Sequence, residues 1–181
     1  MRNTLAFGAL ALVACTGPAG EPQYAFYDNM ADALCGGTFE GRVVSDDTED
    51  ADWRDEVLVL GPVDCSVEPI IRMPLAVGDD TSRTWHLSYG PESIMFRHQH
   101  VEPDGSPSAV TNYGGTPSGM GTPYRQSFPA DAATQENFLA NRLEPSIDNV
   151  WSLTLEPGET LTYALARPER DFRAEFDLSE P

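Results

Sequence analysis

The chain has 181 residues, a formal net charge of -18 and no lysine, because all eleven basic residues are arginine. This length is sufficient for one domain with a sizeable core. The acidity argues against nucleic acid as a partner, since basic side chains must neutralise its phosphates. The absence of lysine excludes Schiff-base chemistry and a Walker-type phosphate loop.

The first fourteen residues are typical of an export signal rather than of a folded element. Arg2 supplies a small basic region, and Leu5 to Val13 form an apolar run that is too short to span a bilayer. The run ends in Leu-Val-Ala-Cys, which resembles the lipobox of bacterial lipoproteins. That resemblance implies cleavage before Cys15 and lipidation of its thiol. Because residue 16 is not aspartate, it also implies sorting to the outer membrane of a Gram-negative cell. A plain secretory signal is the alternative.

Three cysteines in an exported chain favour one disulfide. If Cys15 carries the lipid, Cys35 and Cys65 remain as a pair in an oxidising compartment. A bridge between them would close a loop of about thirty residues and stabilise the fold by roughly 3–4 kcal/mol. We therefore predict a Cys35–Cys65 disulfide, with two buried free thiols as the alternative.

Residues 15–23 are predicted to form a tether, followed by a single β domain over residues 24–181. Tyr24 to Leu34 has apolar residues at helical spacing and predicts a short helix. Strands are predicted over 39–44, 56–60 and 67–77, and two prolines place the third strand at an edge or give it a bulge. Seven acidic residues occupy positions 46–56. A solvated loop is favoured there over a calcium site, since the EF-hand pattern with its central glycine is missing.

The segment over residues 83–115 carries the pattern with the most chemical information. It predicts three successive strands, in which Trp85 and Leu87 alternate with polar residues and residues 94, 96, 98 and 100 share one face. A two-residue turn at Gly90-Pro91 would place residue 85 opposite 96 and residue 83 opposite 98. In this register Trp85 and Leu87 point inward and His86 points outward. Burying Trp85 and Leu87 together favours this register by several kcal/mol, at about 25 cal/mol per Å² of buried apolar surface.

Two histidines on an inward face predict a polar pocket at one end of the domain. An unpaired buried imidazole would cost roughly 1–3 kcal/mol, and Thr111, Tyr113 and Gln126 lie on inward faces as partners. Hydrogen-bonded histidines at the mouth of a barrel are the favoured interpretation, and a small-ligand pocket or a metal or general-base site are the alternatives. No metal, cofactor or catalytic residue is assigned. The predicted ligand-binding residues are Trp85, Phe96, His98, His100, Tyr113 and Gln126.

The rest of the chain completes a β domain. Four glycines within residues 114–121 favour a flexible loop over a phosphate cradle. A strand over 124–128 follows, then a helix from an Asp131 cap to about Arg142, with Phe138 and Leu139 turned inward. Three closing strands end at Leu178. Strands at this spacing predict an all-β fold, a small antiparallel, lipocalin-like β-barrel with one or two short helices, and a β-sandwich is the alternative.

Several short motifs resemble an uncharacterised group of short exported bacterial proteins. They are SRTW at 82–85, HxH at 98–100, DG at 104–105, YGG at 113–115 and FDL at 176–178. This resemblance implies export and a single β domain from Cys35 onwards, and it implies no activity. With the lipobox, it leads us to expect an outer-membrane lipoprotein with its domain in the periplasm or at the cell surface. Its barrel mouth would bind a small ligand or serve a structural role. A metal- or His-dependent hydrolase and a protein-interaction module are the alternatives.

Overall fold

The computed structural model describes residues 22–179, in which ten antiparallel strands form one sheet that curls into a nearly closed barrel. The order in the sheet is β6-β5-β4-β3-β2-β1-β10-β9-β8-β7. The predicted small all-β barrel is confirmed. The strands are β1 Phe39–Val43, β2 Leu58–Leu60, β3 Ile70–Val77, β4 Asp80–Tyr89, β5 Ile94–His100, β6 Tyr113–Gly115, β7 Arg125–Pro129, β8 Val150–Glu156, β9 Thr160–Arg167 and β10 Arg170–Asp177.

Three short α-helices accompany the described strands, and none of them is long and apolar enough to cross a membrane. They are α1 Pro22–Leu34, α2 Ala51–Arg54 and α3 Ala132–Ala140, with single 3-10 turns at Thr48–Asp50 and Glu144–Asp148. Helix α1 begins two residues earlier than predicted, at a proline whose fixed φ suits the first helical position. Its buried face includes Phe26, Met30 and Leu34. The Tyr24 hydroxyl donates to the Gly90 carbonyl at 3.1 Å, so α1 covers the barrel end at the β4–β5 turn.

Strand β3 shows how alternation builds the core. Its residues Ile71, Met73, Leu75 and Val77 all point inward and are buried, as the period of two predicts. The strand lies between β2 and β4 rather than at an edge, so that part of the prediction is wrong. The alternative, a bulge, is present as a register shift between Leu75 and Val77.

The β4–β5 pairing differs from the predicted register by two residues. Trp85 lies opposite His98, and Leu87 lies opposite Phe96. The reason is that β4 ends at Tyr89 and β5 begins at residue 94, so a four-residue loop over 90–93 replaces the predicted two-residue turn. A shift of two residues leaves every side chain on its predicted face, whereas a shift of one would exchange the faces. Trp85, Leu87, Phe96 and His98 are therefore buried as predicted.

The barrel closes between β6 and β7, the first and last strands of the sheet. The Asp131 N–H, just after β7, donates to the Gly114 carbonyl at 3.0 Å. A Cβ at Gly115 would lie 1.9 Å from the Pro129 carbonyl oxygen, so only glycine permits this approach. The Thr134 hydroxyl of α3 bonds both the N–H and the carbonyl of Gly114, each at 2.8 Å. A short seam of backbone and hydroxyl contacts thus joins the two edge strands.

The start of α3 follows the prediction, and its inward face follows it in part. The Asp131 side chain accepts from the Thr134 N–H at 2.9 Å, which is the predicted N-cap. Phe138 is buried, whereas Leu139 is 51% exposed, so the inward placement of Leu139 is wrong.

The predicted disulfide is formed. Cys35 and Cys65 are bridged with their Cα atoms 5.7 Å apart. The bond joins the end of α1 to the connection between β2 and β3. Cys15, the predicted signal peptide and most of the predicted tether lie outside the described residues.

Candidate functional site

A cavity of about 360 Å³ opens at the barrel end opposite α1. A groove of about 460 Å³ lies on the outer face beside Arg42 and Asp177, whereas the cavity of about 360 Å³ is lined by five aromatic residues besides its two histidines. Of the predicted ligand-binding residues, the cavity is lined by Trp85, His98, His100 and Tyr113. Its other lining residues are Glu49, Asp50, Trp53, Arg83, Tyr163, Leu165, Arg167, Arg170 and Phe172.

Two of the predicted site residues lie outside this lining. Phe96 is fully buried beneath it, with its ring centroid 4.7 Å from that of His98, and so forms the layer below the floor. Gln126 is not brought to the cavity. Its side-chain N–H groups donate to the carbonyls of Met120 and Thr122, at 3.1 and 2.9 Å. Gln126 therefore holds the glycine-rich loop and does not rim the mouth.

His98 is neutral and fully engaged in hydrogen bonds. Burial lowers the pKa of His98 to about 3. A carbonyl only accepts hydrogen bonds, so Nδ1 carries the proton and donates to the Tyr113 carbonyl at 3.3 Å. Burial raises the pKa of Tyr163, which keeps its hydroxyl protonated, and that hydroxyl donates to Nε2 at 3.0 Å. Both ring nitrogens are used within the protein, as the favoured interpretation of this residue expects.

Stacked rings line the cavity wall. The Trp85 and Tyr163 rings stack with centroids 4.4 Å apart and planes 13° apart. The His98 and Tyr113 rings stack at 4.8 Å and 10°. Such surfaces favour planar apolar groups, since aromatic faces gain from offset stacking as well as from burial.

His100 is the more exposed of the two histidines that line the cavity. It is half-buried, and its Nε2 lies 3.0 Å from the Tyr113 hydroxyl. Its backbone N–H donates to the Thr111 hydroxyl at 2.8 Å. Burial lowers the pKa of His100, and the Arg83 charge lowers it further. Burial also raises the pKa of Tyr113 to about 12, so at neutral pH this pair offers neutral hydrogen-bonding groups to the cavity.

Three arginines point into the mouth, and the sequence reasoning missed them. Arg83 shares the inward face of Trp85, Arg167 that of Tyr163, and Arg170 that of Phe172, because each lies an even number of residues from its aromatic neighbour. This parity is readable from the sequence, but only the aromatic residues and histidines of these faces were considered. We call Arg83, Arg167 and Arg170 the arginine cluster.

Acidic side chains neutralise the arginine cluster. Arg170 contacts Asp47 at 3.1 Å and Glu49 at 3.2 Å, and it also pairs with Asp50. Arg167 lies 3.8 Å from Glu49. Arg83 pairs with a carboxylate of its own strand, Asp80.

The acidic segment over residues 46–56 covers the mouth of the barrel. The prediction of a solvated loop is wrong for Asp50, which is 1% exposed and accepts from the Ser45 hydroxyl at 2.6 Å. Trp53 packs edge-on against Phe172 at 5.5 Å and lies under the Arg83 guanidinium at 4.9 Å. Carboxylates of the acidic segment thus form ion pairs with the guanidinium groups of Arg167 and Arg170. Within residues 22–179, no three His, Cys, Asp or Glu side chains are grouped to hold a metal ion.

No family model, curated protein or solved structure matches the chain. The argument for a function therefore starts from the geometry of the cavity and from the pattern of the N-terminal sequence.

Proposed function

We propose that this protein is a lipid-anchored envelope protein whose barrel mouth binds a small molecule. The observation that carries the proposal is the cavity of about 360 Å³. It combines apolar ring surfaces with a few polar side chains that converge on one space, which is the usual composition of a small-molecule site.

Binding is favoured over hydrolysis by the state of the candidate reactive groups. His98 has both nitrogens engaged, and the two described cysteines are joined in a disulfide. The His100 ring lies beside a tyrosine hydroxyl, and the Thr111 hydroxyl contacts the backbone of His100 rather than its ring. The described residues around the cavity thus form a shaped and partly charged surface without a nucleophile and base pair.

The N-terminal sequence and the disulfide support the location. A Leu-Val-Ala-Cys run follows an apolar segment of signal length. A disulfide is expected in an oxidising compartment such as the periplasm or the cell surface. Only residues 16–21 separate Cys15 from the first residue of α1, so a lipid on Cys15 would hold the barrel close to the membrane.

Native mass spectrometry of the protein purified from the membrane fraction tests ligand binding. We expect a species heavier than the lipidated chain, carrying a non-covalent mass that activation in the gas phase removes. His100→Ala should reduce this species, since His100 faces the cavity. His86→Ala is the matched control, because His86 lies on the outward face of β4. A wild-type protein that carries no such mass and gains none from an envelope extract would contradict the proposal.

A further inference from the structure

The arginine cluster is unusual for its position in this chain. The sequence contains eleven arginines and a net charge of -18. Outside the mouth, Arg72, Arg97 and Arg173 pair with carboxylates of the barrel surface. The three arginines of the cluster instead point into the barrel mouth, where their side chains are only 14–20% exposed. Burying a guanidinium costs desolvation energy unless an anion pairs with it. The mouth is therefore built to hold negative charge.

Four carboxylates pair with the arginine cluster, those of Asp47, Glu49, Asp50 and Asp80, and two of them reach into the cavity. Glu49 and Asp50 line it, and both belong to the 3-10 turn at Thr48–Asp50 rather than to a barrel strand. The Glu49 side chain is 64% exposed and lies 3.8 Å from Arg167 and 3.2 Å from Arg170. Such exposed ion pairs contribute little and are readily replaced, whereas Asp50 is buried and stays paired with Arg170. The two carboxylates occupy the guanidinium groups without being part of the barrel wall.

We propose that the ligand is a small planar anion whose acidic group binds the arginine cluster in place of Glu49. This inference rests on the proposed function and names the class of its ligand. Guanidinium groups recognise carboxylate, sulfonate and phosphate oxygens through paired N–H donors. The Trp85 and Tyr163 rings, stacked beside the cluster, supply a surface for a flat apolar ring.

The Glu49 carboxylate acts as an internal competitor in this arrangement. An incoming anion exchanges one ion pair for another, so the arginine cluster is never left unpaired. A neutral ligand of the same shape gains the ring contacts alone. The acidic segment therefore lowers the affinity for anions and prevents the mouth from binding every anion it meets.

Isothermal titration calorimetry with two matched probes tests the inference on the full chain in non-ionic detergent. Naphthalene-2-sulfonate carries the charge, and naphthalene-2-sulfonamide has nearly the same shape without it. We expect the sulfonate to bind about tenfold more tightly, a difference that a single charged hydrogen-bonded contact supplies. Titration into detergent alone corrects both probes for partitioning into micelles.

Variants of the acidic segment and of the cluster give the decisive comparison. Glu49→Gln should raise the affinity for the sulfonate several-fold and leave the sulfonamide unchanged. Arg167→Gln should weaken sulfonate binding, whereas Arg125→Gln, on an exposed position of β7, should not.

The outcomes separate this inference from the proposed function. Equal affinities for the two probes, unchanged in Glu49→Gln and Arg167→Gln, would overturn the anion inference and leave a neutral-ligand pocket in place. Binding of neither probe would also overturn the inference. The proposed function fails only if, in addition, no bound mass accompanies the wild-type protein from the cell.

Discussion

His98 connects three strands across the interior of the barrel. It projects from β5, donates to the Tyr113 carbonyl of β6 and accepts from the Tyr163 hydroxyl of β9. Because β5 and β9 lie on different parts of the sheet, this imidazole links walls that are not neighbours in the strand order. We infer that His98 fixes the floor of the cavity, on which Trp85 and Tyr163 form the ring wall.

Removing the Tyr163 hydroxyl tests this link. Tyr163→Phe keeps the ring but leaves Nε2 of His98 buried without a donor, so we expect a loss of about 1–3 kcal/mol of unfolding free energy. Urea denaturation measures the loss. Tyr124→Phe, at a tyrosine that is 48% exposed, is the control and should change stability little. Equal stability of the two variants would show that the buried hydrogen bond contributes nothing.

The same histidine makes stability depend on pH. Burial lowers the pKa of His98 from an ordinary value of 6.5 to about 3. Between these values the unfolded chain binds a proton that the folded protein does not, so stability is complete above about pH 6.5 and falls as the pH is lowered towards 3. One such proton gives a slope of about 1.4 kcal/mol per pH unit.

Denaturation of wild type and His98→Gln across pH 4–7 isolates this contribution, because the carboxylates titrate in both proteins. The wild-type slope should exceed that of His98→Gln. Burial also lowers the pKa of the half-buried His86, so His86→Gln should reduce the slope as well, but less than His98→Gln. Parallel curves for wild type and His98→Gln would mean that His98 does not titrate differently on folding.

At the scale of elements, the seam between β6 and β7 determines whether the sheet forms a barrel. Arg97 of β5 pairs with Asp131 and donates to the Thr134 hydroxyl at 3.2 Å, so a side chain from the adjacent strand supports the backbone contacts of Gly114. This seam is short, and it depends on the close approach at Gly115.

Gly115→Ala tests the seam directly. The new Cβ would meet the Pro129 carbonyl oxygen, so the edges must separate, and we expect a loss of about 1–3 kcal/mol of stability or more, as in other overpacked sites. Gly119→Ala is the matched control, because a Cβ there meets nothing within 4 Å. Stability comes from chemical denaturation, and hydrogen exchange at β6 and β7 reports the opening. Equal protection in both variants would contradict the role of the seam.

Elements whose structure depends on local alternation were predictable, and those set by distant partners were not. The inward faces of β3, β4 and β5 follow from a period of two, which a register error of two residues leaves intact. Apolar residues do not recur at a regular spacing in the acidic segment. The path of the segment depends instead on contacts such as that between Asp47 and Arg170, which lie 123 residues apart in the sequence. No local pattern in residues 46–56 contains that information.

The candidate site was predictable to a similar extent. Trp85, His98, His100 and Tyr113 lie at one end because neighbouring strands bring them together. Gln126 was predicted to line the cavity only because it lies on an inward face of its strand. The face of a strand does not determine how far along the barrel axis a residue lies. The Gln126 side chain instead donates to the carbonyls of Met120 and Thr122, in a loop that reaches α1 at the other end of the barrel through the hydrogen bond from Asn29 to the Pro123 carbonyl.

At the scale of the whole molecule, the two ends of the barrel have different roles. Helix α1 and the Cys35–Cys65 disulfide close one end, and the cavity opens at the other. The segment between Cys35 and Cys65 includes β1, the acidic segment and β2. The bridge therefore restrains the unfolded chain without contributing a group to the cavity.

Removal of the disulfide should lower stability and leave the cavity intact. For Cys35→Ser with Cys65→Ser we expect a loss of roughly 3 kcal/mol, as a closed loop of this length predicts. Urea denaturation measures it, and wild type treated with a reductant is the control for the substitutions themselves. The bound mass in native mass spectrometry should persist in the folded variant. Its loss there would mean that the two ends of the barrel are coupled.

The proposed lipid anchor would hold the barrel and its cavity at a membrane of the cell envelope. The Leu-Val-Ala-Cys run predicts that Cys15 carries the lipid, so Cys15→Ala should release the protein from the membrane fraction or leave it unprocessed. Thr16→Asp is the companion variant, because the sorting rule of bacterial lipoproteins predicts retention in the inner membrane with lipidation unchanged. Fractionation and intact mass of the mature chain distinguish these cases. If Cys15→Ala is cleaved normally and stays in the membrane fraction, lipidation at Cys15 is refuted, and the barrel must be held at the envelope by another contact.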